Sequence, residues 1–424
     1  MSAAPVIVVG AGAAGLLAAY FAAKSGSPTV LLEGTQKLGA KILISGGGRC
    51  NVLPGEFEEH AFYTQGSRNV LRRIFKTWPH AEVRRWFENE LGIALKFESD
   101  SGKLFPVANR AVVVRDALHQ ACLDAGVVLH TGFRVESIQR MNPGLASGAA
   151  PHPARFLLHS DAADTAALEA SAVILATGGK SVPKTGSDGH GYRLAQQFGH
   201  SILPTYPALV PLRHAEQDLL DLAGITLPIA WSTWLGGKRL DSGIRSALLT
   251  HQGMSGPAIL DASHWVEREN ASLHIGWGGL DTDAWRASLQ STRANQVGAW
   301  LNETLPKRLT ASLLARAEVA EGQQLAQLSK PMRTRLLQVL GDFVLPTTGS
   351  RGYAVAEVTG GGVPLNEVSP STLESRAQPG LFLCGEILDC IGRIGGHNFL
   401  WAWVTAKLAG TQAAHAVMAR AASE

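Results

Sequence analysis

The chain has 424 residues, 46% hydrophobic and 17% charged, which is typical of globular proteins and excludes a disordered one. This length exceeds one ordinary hydrophobic core, so it predicts two or three domains. The formal net charge of +3 is too small to identify a nucleic-acid-binding protein. The four cysteines include no C-x-x-C pair, which argues against a disulfide framework or a zinc site. We therefore expect no metal and a reducing, cytoplasmic location.

The segment from Val6 to Ala23 is almost entirely apolar and could be taken for a signal peptide or a membrane span. It lacks a basic flank, and glycines interrupt its start, so we expect no membrane association from it.

The same region predicts a strand at Val6–Val9, a glycine turn, a helix to about Lys24 and a second strand at Thr29–Leu32 ended by Glu33. The turn carries a G-x-G-x-x-G pattern, formed by Gly10, Gly12 and Gly15. In a dinucleotide-binding β-α-β unit the first glycine makes the turn, the second admits a pyrophosphate and the third allows close packing. The helix N-terminus favours the phosphates, and the acidic residue binds a ribose. The competing interpretation is a glycine-rich turn in the core.

A second glycine cluster lies in the stretch "KILISGGGRCN", from Lys41 to Asn51. Three consecutive glycines allow a flat or anionic group to lie against bare backbone. Arg49 then either binds an anionic substrate or cofactor phosphate or pairs with a nearby carboxylate. Cys50 has no second cysteine near it, which favours a buried, inert thiol.

Residues 68–76, "RNVLRRIFK", with Arg84 and Arg85 beyond them, predict a basic amphipathic helix. This surface is either an ordinary solvated face or a contact for an anionic partner.

The following segments alternate between strands, loops and helices. Residues 126–138 resemble two strands of one sheet, and the composition of residues 144–154 predicts a surface loop. A buried strand at Val173–Ala176 is followed by a Thr-Gly-Gly turn and a helix from about Gly189.

Changes in pattern divide the chain into an α/β domain interrupted by an insert. We predict the N-terminal part of the first domain at 1–203, a β-rich, barrel-like part at 204–280, a helical part at 281–342 and a return to the first domain at 343–424. The last part contains a buried strand at Leu381–Cys384 and a final helix opened by Gly395 and Gly396.

Several motifs together resemble those of a known family. They are "GAGAAG" at 10–15, "KILISGGGRCN" at 41–51, "ATGG" at 176–179, "THQGMSGPAIL" at 250–260, "EVTGGGV" at 357–363 and "GEILD…GRIGGHN" at 385–398. The chain resembles two-dinucleotide-binding-domain flavoproteins, and more narrowly the bacterial BaiN-like or aminoacetone-oxidase-like NAD(P)/FAD-dependent oxidoreductases, over essentially its whole length. The resemblance implies a Rossmann-like FAD-binding domain with an inserted β-barrel plus helical domain.

The resemblance also implies which residues hold FAD. Glu33 would bind the adenosine ribose, Val135 would meet the adenine through its backbone, and Glu386 and Asp389 stand where related enzymes place an acid on the ribityl chain. The implied cofactor-binding residues are Gly10, Gly12, Ala13, Ala14, Gly15, Glu33, Gly34, Lys41, Ser45, Gly46, Gly47, Gly48, Arg49, Cys50, Val135, Ala176, Thr177, Gly178, Gly385, Glu386, Asp389, Gly396, Asn398 and Phe399.

Arg49 and His397 are the candidate catalytic residues. His397 is expected at a helix start, either as a proton donor or substrate contact or as a packed or capping residue. The family often has Tyr at this place, and its last helix usually carries a small-residue pair where this chain reads "VTAKLAG". Both departures affect the identity of the substrate rather than the binding of the flavin.

The resemblance leaves three functions open. The first is an NAD(P)H-driven reductase of an activated C=C bond, which in one branch of the family lies in a uracil of ribosomal RNA. The second is an aminoacetone-type amine oxidase using oxygen, and the third is a non-catalytic flavin-binding protein. No second G-x-G-x-x-G occurs, so NAD(P)H is expected only as a transient reductant. The expected partner is a small molecule or an RNA base, with RNA contacted through residues 68–85.

Overall fold

The computed structural model describes residues 4–141, 155–162 and 165–421. The chain divides into two compact units: unit 1 is Met1–Thr205 with Val358–Glu424, and unit 2 is Tyr206–Glu357. The loop predicted at 144–154 lies outside the described residues.

Unit 1 begins as a β-α-β unit, as predicted. Its elements before unit 2 are β1 (Val6–Val9), α1 (Ala13–Lys24), β2 (Thr29–Glu33), α2 (Ala40–Ile44), β3 (Leu53–Pro54), β4 (Phe62–Tyr63), α3 (Arg68–Phe75), α4 (His80–Asn89), β5 (Leu95–Glu98), β6 (Lys103–Pro106), α5 (Ala111–Asp124), β7 (Val128–Thr131), β8 (Val135–Met141), β9 (Arg155–Ser160), β10 (Leu168–Ala170), β11 (Ala172–Leu175) and α6 (His190–Gln197). Strand β12 (Leu203–Ala208) then leads along the chain into unit 2. After unit 2 the chain adds β20 (Val358–Gly362), β21 (Leu381–Leu383), β22 (Ile391–Gly392) and α13 (His397–Ala421).

A parallel sheet in the order β21-β11-β1-β2-β7 forms the centre of unit 1. Strands β1 and β11 are buried along their whole length, as expected for apolar strands covered on both faces of a parallel sheet. Helix α1 consists mainly of alanine and leucine, which favour helix, and ends before Gly26 at a φ of +94°. A Cβ on Gly410 of α13 would lie 2.3 Å from the Ala18 carbonyl oxygen, so α1 and α13 pack closely.

The structure corrects two predictions in unit 1. Residues 126–138 do not form two strands of one sheet, because β7 joins the parallel sheet whereas β8 pairs with β9 in a separate three-stranded sheet. Gly132, at a φ of +71°, turns the chain between them. The basic segment is two helices, α3 and α4, because Pro79 caps the start of the second and cannot continue the first.

Unit 2 combines a seven-stranded antiparallel sheet with helices. Its elements are β13 (Leu212–His214), α7 (Gln217–Leu220), β14 (Thr226–Leu235), β15 (Lys238–Thr250), β16 (Gly253–Ser255), α8 (Pro257–Glu269), β17 (Ser272–Trp277), α9 (Thr282–Ser291), α10 (Val297–Leu301), α11 (Lys307–Ala317), α12 (Lys330–Gly341), β18 (Phe343–Leu345) and β19 (Thr347–Ser350). The sheet order is β18-β17-β14-β15-β16-β13-β19.

The end of unit 2 lies later in the chain than the sequence indicated. Strand β18 pairs with β17 and β19 pairs with β13, so residues 343–357 remain in unit 2 instead of returning to the first domain at 343. A separate core holds this unit together, with Trp277, Trp285 and Trp300 fully buried. Within the described part of the chain, no helix has both the length and the apolar character needed to cross a bilayer.

Candidate functional site

Three of the predicted cofactor-binding segments directly follow strands of the parallel sheet. Gly10 follows β1, Ala176 follows β11 and Cys384 follows β21, and the carboxyl ends of parallel strands share one edge of a sheet. The Ala176 amide donates to the Val9 carbonyl, and the Cys384 amide donates to that of Leu175. Ligands of open α/β sheets bind outside this edge.

The three glycines of the first turn meet different surroundings. Gly10 has a φ of +100°, and a Cβ there would lie 2.7 Å from the Ala176 carbonyl oxygen. A Cβ on Gly15 would lie 1.7 Å from the Gly10 oxygen. A Cβ on Gly12 would meet nothing within 4 Å, so Gly12 alone faces open space. Two glycines therefore allow packing, and the second leaves room for a ligand.

The N-terminus of α1 opens beside this space. Its N-cap is Gly12, and no side chain caps it, which leaves the amides around Ala13 and Ala14 to bind an anion. A Cβ on Gly385, which has a φ of +77°, would lie 2.8 Å from the Ala14 Cβ. The turn after β21 thus lies against the start of α1.

Glu33 is fixed at the end of β2. Its Oε2 accepts a hydrogen bond from the Ala11 amide at 2.9 Å, and its Oε1 accepts from the Thr35 amide and hydroxyl, both at 2.9 Å. Carboxylate oxygens have further lone pairs, so this anchored group can also accept from a ribose diol. The next residue, Gly34, lies beside Arg134, directly before Val135 at the start of β8.

The second glycine cluster exposes bare backbone, as its sequence predicted. After α2 the chain makes a 3-10 turn at Ser45–Gly48, with φ of +56° at Gly46, +67° at Gly47 and +84° at Gly48. A Cβ on Gly47 would meet nothing within 4 Å, and one on Gly48 would meet only the Leu43 oxygen at 3.9 Å. A flat group can approach this backbone closely.

Arg49 pairs with a carboxylate, which is one of its two predicted roles. Its Nη1 donates to Glu98 Oε2 at 2.8 Å, and its guanidinium lies 3.9 Å from the centroid of the Phe105 ring. Hydrogen bonds from Arg49 and Ser101 lower the pKa of the Glu98 carboxyl, so the pair is ionised at neutral pH. Its role towards a substrate stays a prediction.

Cys50 is fully buried at a φ of +66°. Burial raises the pKa of its thiol to about 12, so the thiol is neutral and a poor nucleophile at pH 7.

Lys41 and Glu386 belong to one polar network. Lys41 Nζ donates to Glu386 Oε2 at 2.8 Å and to Ser181 Oγ at 2.7 Å. Ser181 Oγ donates to Glu386 Oε1 at 2.8 Å, and the Thr359 amide donates to the same oxygen at 3.0 Å. Sequence reasoning missed Ser181 and Thr359, although Ser181 follows the "ATGG" motif and Thr359 lies within "EVTGGGV".

Asp389 hydrogen-bonds to a turn that precedes α3. Its Oδ2 accepts from the Thr64 hydroxyl at 3.0 Å and from the Gln65 amide at 2.7 Å. The buried Asp389 carboxylate therefore fixes the Thr64 turn. The predicted ribityl contacts of Glu386 and Asp389 remain predictions.

Helix α13 begins at His397 in a packed position. His397 is buried, with its ring edge against Phe62 at a centroid distance of 5.4 Å. The Asn398 side chain accepts from the Gly392 amide and donates to the Gly392 oxygen, both at 2.8 Å, and so shapes the preceding turn. A Cβ on Gly396 would lie 2.4 Å from the Leu53 carbonyl carbon. Phe399 stacks on Trp403 at 5.3 Å.

The turn after β11 contains a polar atom that a ligand could satisfy. Thr177 Oγ1 is buried and has no hydrogen-bond partner among the described residues. Gly178 has a φ of +71° and lies against Ser187. A buried hydroxyl without a partner is destabilising. Together with the open space at Gly12 and the bare backbone at Gly47, it fits an extended dinucleotide with a flat ring, as FAD is.

Comparisons with known proteins identify relatives over nearly the whole chain. The family model described as "HI0933-like protein Rossmann domain" matches residues 4–412. The ribosomal RNA dihydrouridine synthase of Escherichia coli strain K12 is 32% identical over 94% of this chain and 95% of its own. The 3-dehydro-bile acid delta(4,6)-reductase of Clostridium scindens is 30% identical over 96% of this chain and 98% of its own.

A solved structure supports the fold alone. The Mycobacterium smegmatis Sdh1 complex in the apo form aligns with 98% of this chain and 68% of its own at a TM-score of 0.51 and 16% identity. The match of the family model over nearly all of the chain, with the two relatives, settles the family. The chain belongs to the HI0933-like family of flavoprotein oxidoreductases, with a Rossmann-type FAD-binding fold.

Proposed function

We propose that this protein is an FAD-dependent reductase that takes electrons from NAD(P)H and saturates an activated C=C bond, with uracil in ribosomal RNA as the leading substrate. One observation carries the proposal. Relatives with substrates as unlike as ribosomal RNA and a bile acid, at 32% and 30% identity, have names that both denote reduction of a C=C bond. Because the two substrates differ so much, we infer that what the family shares is the reaction, and that the substrate differs from one member to another.

Different residues of unit 1 would bind different parts of FAD. FAD supplies two-electron redox chemistry when bound, while the protein orients and shields it. The α1 N-terminus would bind its pyrophosphate, Glu33 its ribose and the Gly46–Gly48 backbone its flat ring. The start of α13 would stabilise negative charge that develops beside it.

The side chains of this site argue against a protein-based nucleophile. Burial raises the pKa of the Cys50 thiol to about 12, and Lys41 is held by Glu386 and Ser181. Binding, orientation and exclusion of water are the tasks left to the protein.

Only part of the basic segment at residues 68–85 carries cations that are available to contact RNA. Arg72 is paired with Glu59, Arg84 with Glu88 and Arg85 with Glu82. Among the described residues, the exposed side chains of Arg68, Arg73 and Lys76 on and after α3 form no ion pair that would neutralise them. These three cations are the ones that we propose contact RNA phosphates.

An anaerobic absorption spectrum tests the redox part of the proposal. NADPH or NADH should bleach the oxidised-flavin band, and uracil-containing ribosomal RNA fragments should then restore it and acquire dihydrouridine. A band that persists with both nucleotides refutes the reductase proposal. Hydrogen peroxide formed from aminoacetone and oxygen would then identify an amine oxidase, and a flavin that no donor reduces would identify a binding protein.

RNA binding is tested separately with a triple variant, Arg68→Gln, Arg73→Gln and Lys76→Gln. It should lose affinity and reduce the slope of log K against log salt by about 2 to 3, since each phosphate contact contributes about 0.7 to 0.9. The matched control is Arg85→Gln, whose side chain is already paired with Glu82. An unchanged slope in the triple variant would exclude RNA contact by this surface.

A further inference from the structure

Arg49 lies at the end of the glycine turn that would receive the flat ring of FAD. The turn covers Ser45–Gly48, and a Cβ on Gly47 would meet nothing within 4 Å. Arg49 Nε donates to the Gly46 carbonyl oxygen at 3.4 Å, so the guanidinium is attached to the turn itself. The backbone that would face the ring therefore also holds a cationic side chain beside it.

Two side chains of the β5–β6 hairpin fix the orientation of this guanidinium. Arg49 Nη1 donates to Glu98 Oε2 at 2.8 Å, and Glu98 Oε1 accepts from Ser101 Oγ at 2.7 Å, so the carboxylate is itself held in place. The Arg49 Cζ lies 3.9 Å from the centroid of the Phe105 ring. Because these contacts already fix the guanidinium, little conformational entropy is lost when it binds a further group.

The guanidinium keeps a donor that the protein does not use. Within the described part of the chain, Arg49 Nη2 forms no hydrogen bond, since the bonds of this side chain come from Nε and Nη1. The side chain is 35% exposed, and Nη2 is not among the buried polar atoms without a partner. A guanidinium nitrogen can only donate. Nη2 is therefore a fixed donor that is open to an acceptor from outside the protein.

The ion pair with Glu98 influences which acceptor suits this donor. The Glu98 carboxylate already balances the charge of the guanidinium, so Nη2 offers a hydrogen bond rather than an unpaired charge. A neutral oxygen that becomes negative only during a reaction gains most from such a donor. The oxygen of a carbonyl group conjugated to a C=C bond has this property when the C=C bond is reduced.

We propose that Arg49 donates through Nη2 to the carbonyl oxygen of a neutral α,β-unsaturated carbonyl substrate, and that Glu98 positions Arg49 for this contact. The inference rests on the proposed function and specifies its substrate class. In uracil, the C=C bond that is saturated in dihydrouridine is conjugated to a ring carbonyl. Arg49 is then a catalytic residue, and Glu98 is a positioning residue that acts through it.

Reduction of such a substrate adds a hydride to the β-carbon and a proton to the α-carbon. The hydride brings both electrons from the flavin that NAD(P)H has reduced, and solvent supplies the proton. As the new C–H bond forms, the π electrons of the C=C bond shift towards the carbonyl group, and its oxygen becomes negative. A donor fixed at that oxygen stabilises the transition state more than the ground state.

Equilibrium binding to the FAD-loaded, oxidised protein tests this contact without any turnover. The probe is cyclohexenone, and cyclohexene is the same ring without the carbonyl group. Infrared difference spectra of the isotope-labelled carbonyl report on the hydrogen bond to the bound probe. Thermal melting and flavin content show whether each variant is folded and loaded. The variants are Arg49→Met, Glu98→Ala and Glu98→Gln, and the matched controls, from another partly exposed Arg–Glu pair, are Arg84→Met and Glu88→Ala.

Arg49→Met should weaken the binding of cyclohexenone at least about tenfold, which is about 1.4 kcal/mol, and should raise the stretching frequency of the bound carbonyl. Cyclohexene should bind as before. Glu98→Ala should also weaken cyclohexenone binding, but should cause no further loss when it is added to Arg49→Met. Glu98→Gln should retain most of the affinity, because its amide oxygen still accepts from Nη1. The two controls should bind both probes as the wild type does.

Wild-type affinity and carbonyl frequency in folded Arg49→Met would overturn the proposal, as would a wild type that binds no cyclohexenone. A loss of FAD affinity with unchanged binding of the probe would assign Arg49 to the cofactor instead and overturn it as well. If Arg49→Met does not fold, unchanged binding by Glu98→Ala is the result that decides against it. A flavin that NAD(P)H fails to reduce would refute the proposed function and leave this binding result standing.

Discussion

An added methyl group should lower the thermal stability of the apoprotein at Gly15, whereas at Gly12 it should weaken the binding of FAD. In Gly15→Ala the new Cβ would lie 1.7 Å from the Gly10 oxygen, far below the 3.0 Å limit of real Cβ contacts, so the start of α1 must move. Overpacking a core costs about 1–3 kcal/mol, and a clash with backbone belongs at the upper end. At about 2–4 °C per kcal/mol, the apoprotein should lose about 6–12 °C in Tm.

Gly12→Ala should leave the apoprotein nearly unchanged. Gly12 has a φ of −77° and a ψ of −167°, an extended conformation that alanine adopts, and its Cβ would meet nothing within 4 Å. The Tm of the apoprotein should therefore shift by no more than about 2 °C, in line with substitutions that make no new contacts. The methyl group would instead occupy the space that we propose for the pyrophosphate, so the Kd for FAD should rise about 100-fold, or about 2.7 kcal/mol.

Thermal melting of the two apoproteins and titration with FAD by flavin fluorescence measure both quantities. Wild-type affinity in Gly12→Ala would refute the assignment of this space to the pyrophosphate. A wild-type Tm in Gly15→Ala would refute the steric reasoning.

Three other predictions follow from the polar contacts and thiols. All four cysteines are buried, so a thiol reagent at pH 8 should label none in the native protein and four after unfolding; rapid native labelling would contradict the neutral, buried Cys50. A double-mutant cycle of Lys41→Met and Glu386→Gln should give a coupling of about 1 kcal/mol, since the two side chains are 24% and 19% exposed, and additive effects would show that the pair is not formed. The hydrogen bond from Arg49 lowers the pKa of the Glu98 carboxyl in the folded protein. The Arg49–Glu98 pair should therefore stabilise the wild type at pH values above the unfolded pKa of Glu98, and this stabilisation should be lost as pH falls through the lower folded pKa. The Tm of the wild type should exceed that of Glu98→Gln by less and less towards pH 3, and a pH-independent difference in Tm would contradict this prediction.

Local pattern was sufficient to predict the β-α-β unit and its glycine turn. The apolar, β-branched run at Val6–Val9 and the glycine spacing after it are short-range signals, and the structure has the strand where they indicated it. Predictions from local pattern were wrong at two places where a residue that interrupts a helix or a sheet was overlooked. Pro79 divides the basic segment, and Gly132 turns the chain out of the parallel sheet.

Contacts between distant parts of the chain could not be predicted in this way. Lys41 and Glu386 are 345 positions apart, and nothing in either local sequence specifies the other as a partner. Arg49 was expected to meet either a ligand or a carboxylate, and only the hairpin that carries Glu98 decides for the carboxylate in this structure. The boundary near residue 343 was misplaced because strand pairing, rather than composition, keeps β18 and β19 in unit 2.

The discontinuity of unit 1 constrains the order in which the protein can fold on the ribosome. Strand β21 occupies the edge of the parallel sheet next to β11, yet it is synthesised after the whole of unit 2. Until then β11 presents an unpaired edge to other chains, and Glu386 and helix α13 are missing from the site. Unit 2 is continuous in sequence and has its own core, so it can fold first. We therefore expect FAD to bind only after residues 381–421 have been synthesised, and a chain truncated before β21 should be prone to aggregation and bind no flavin.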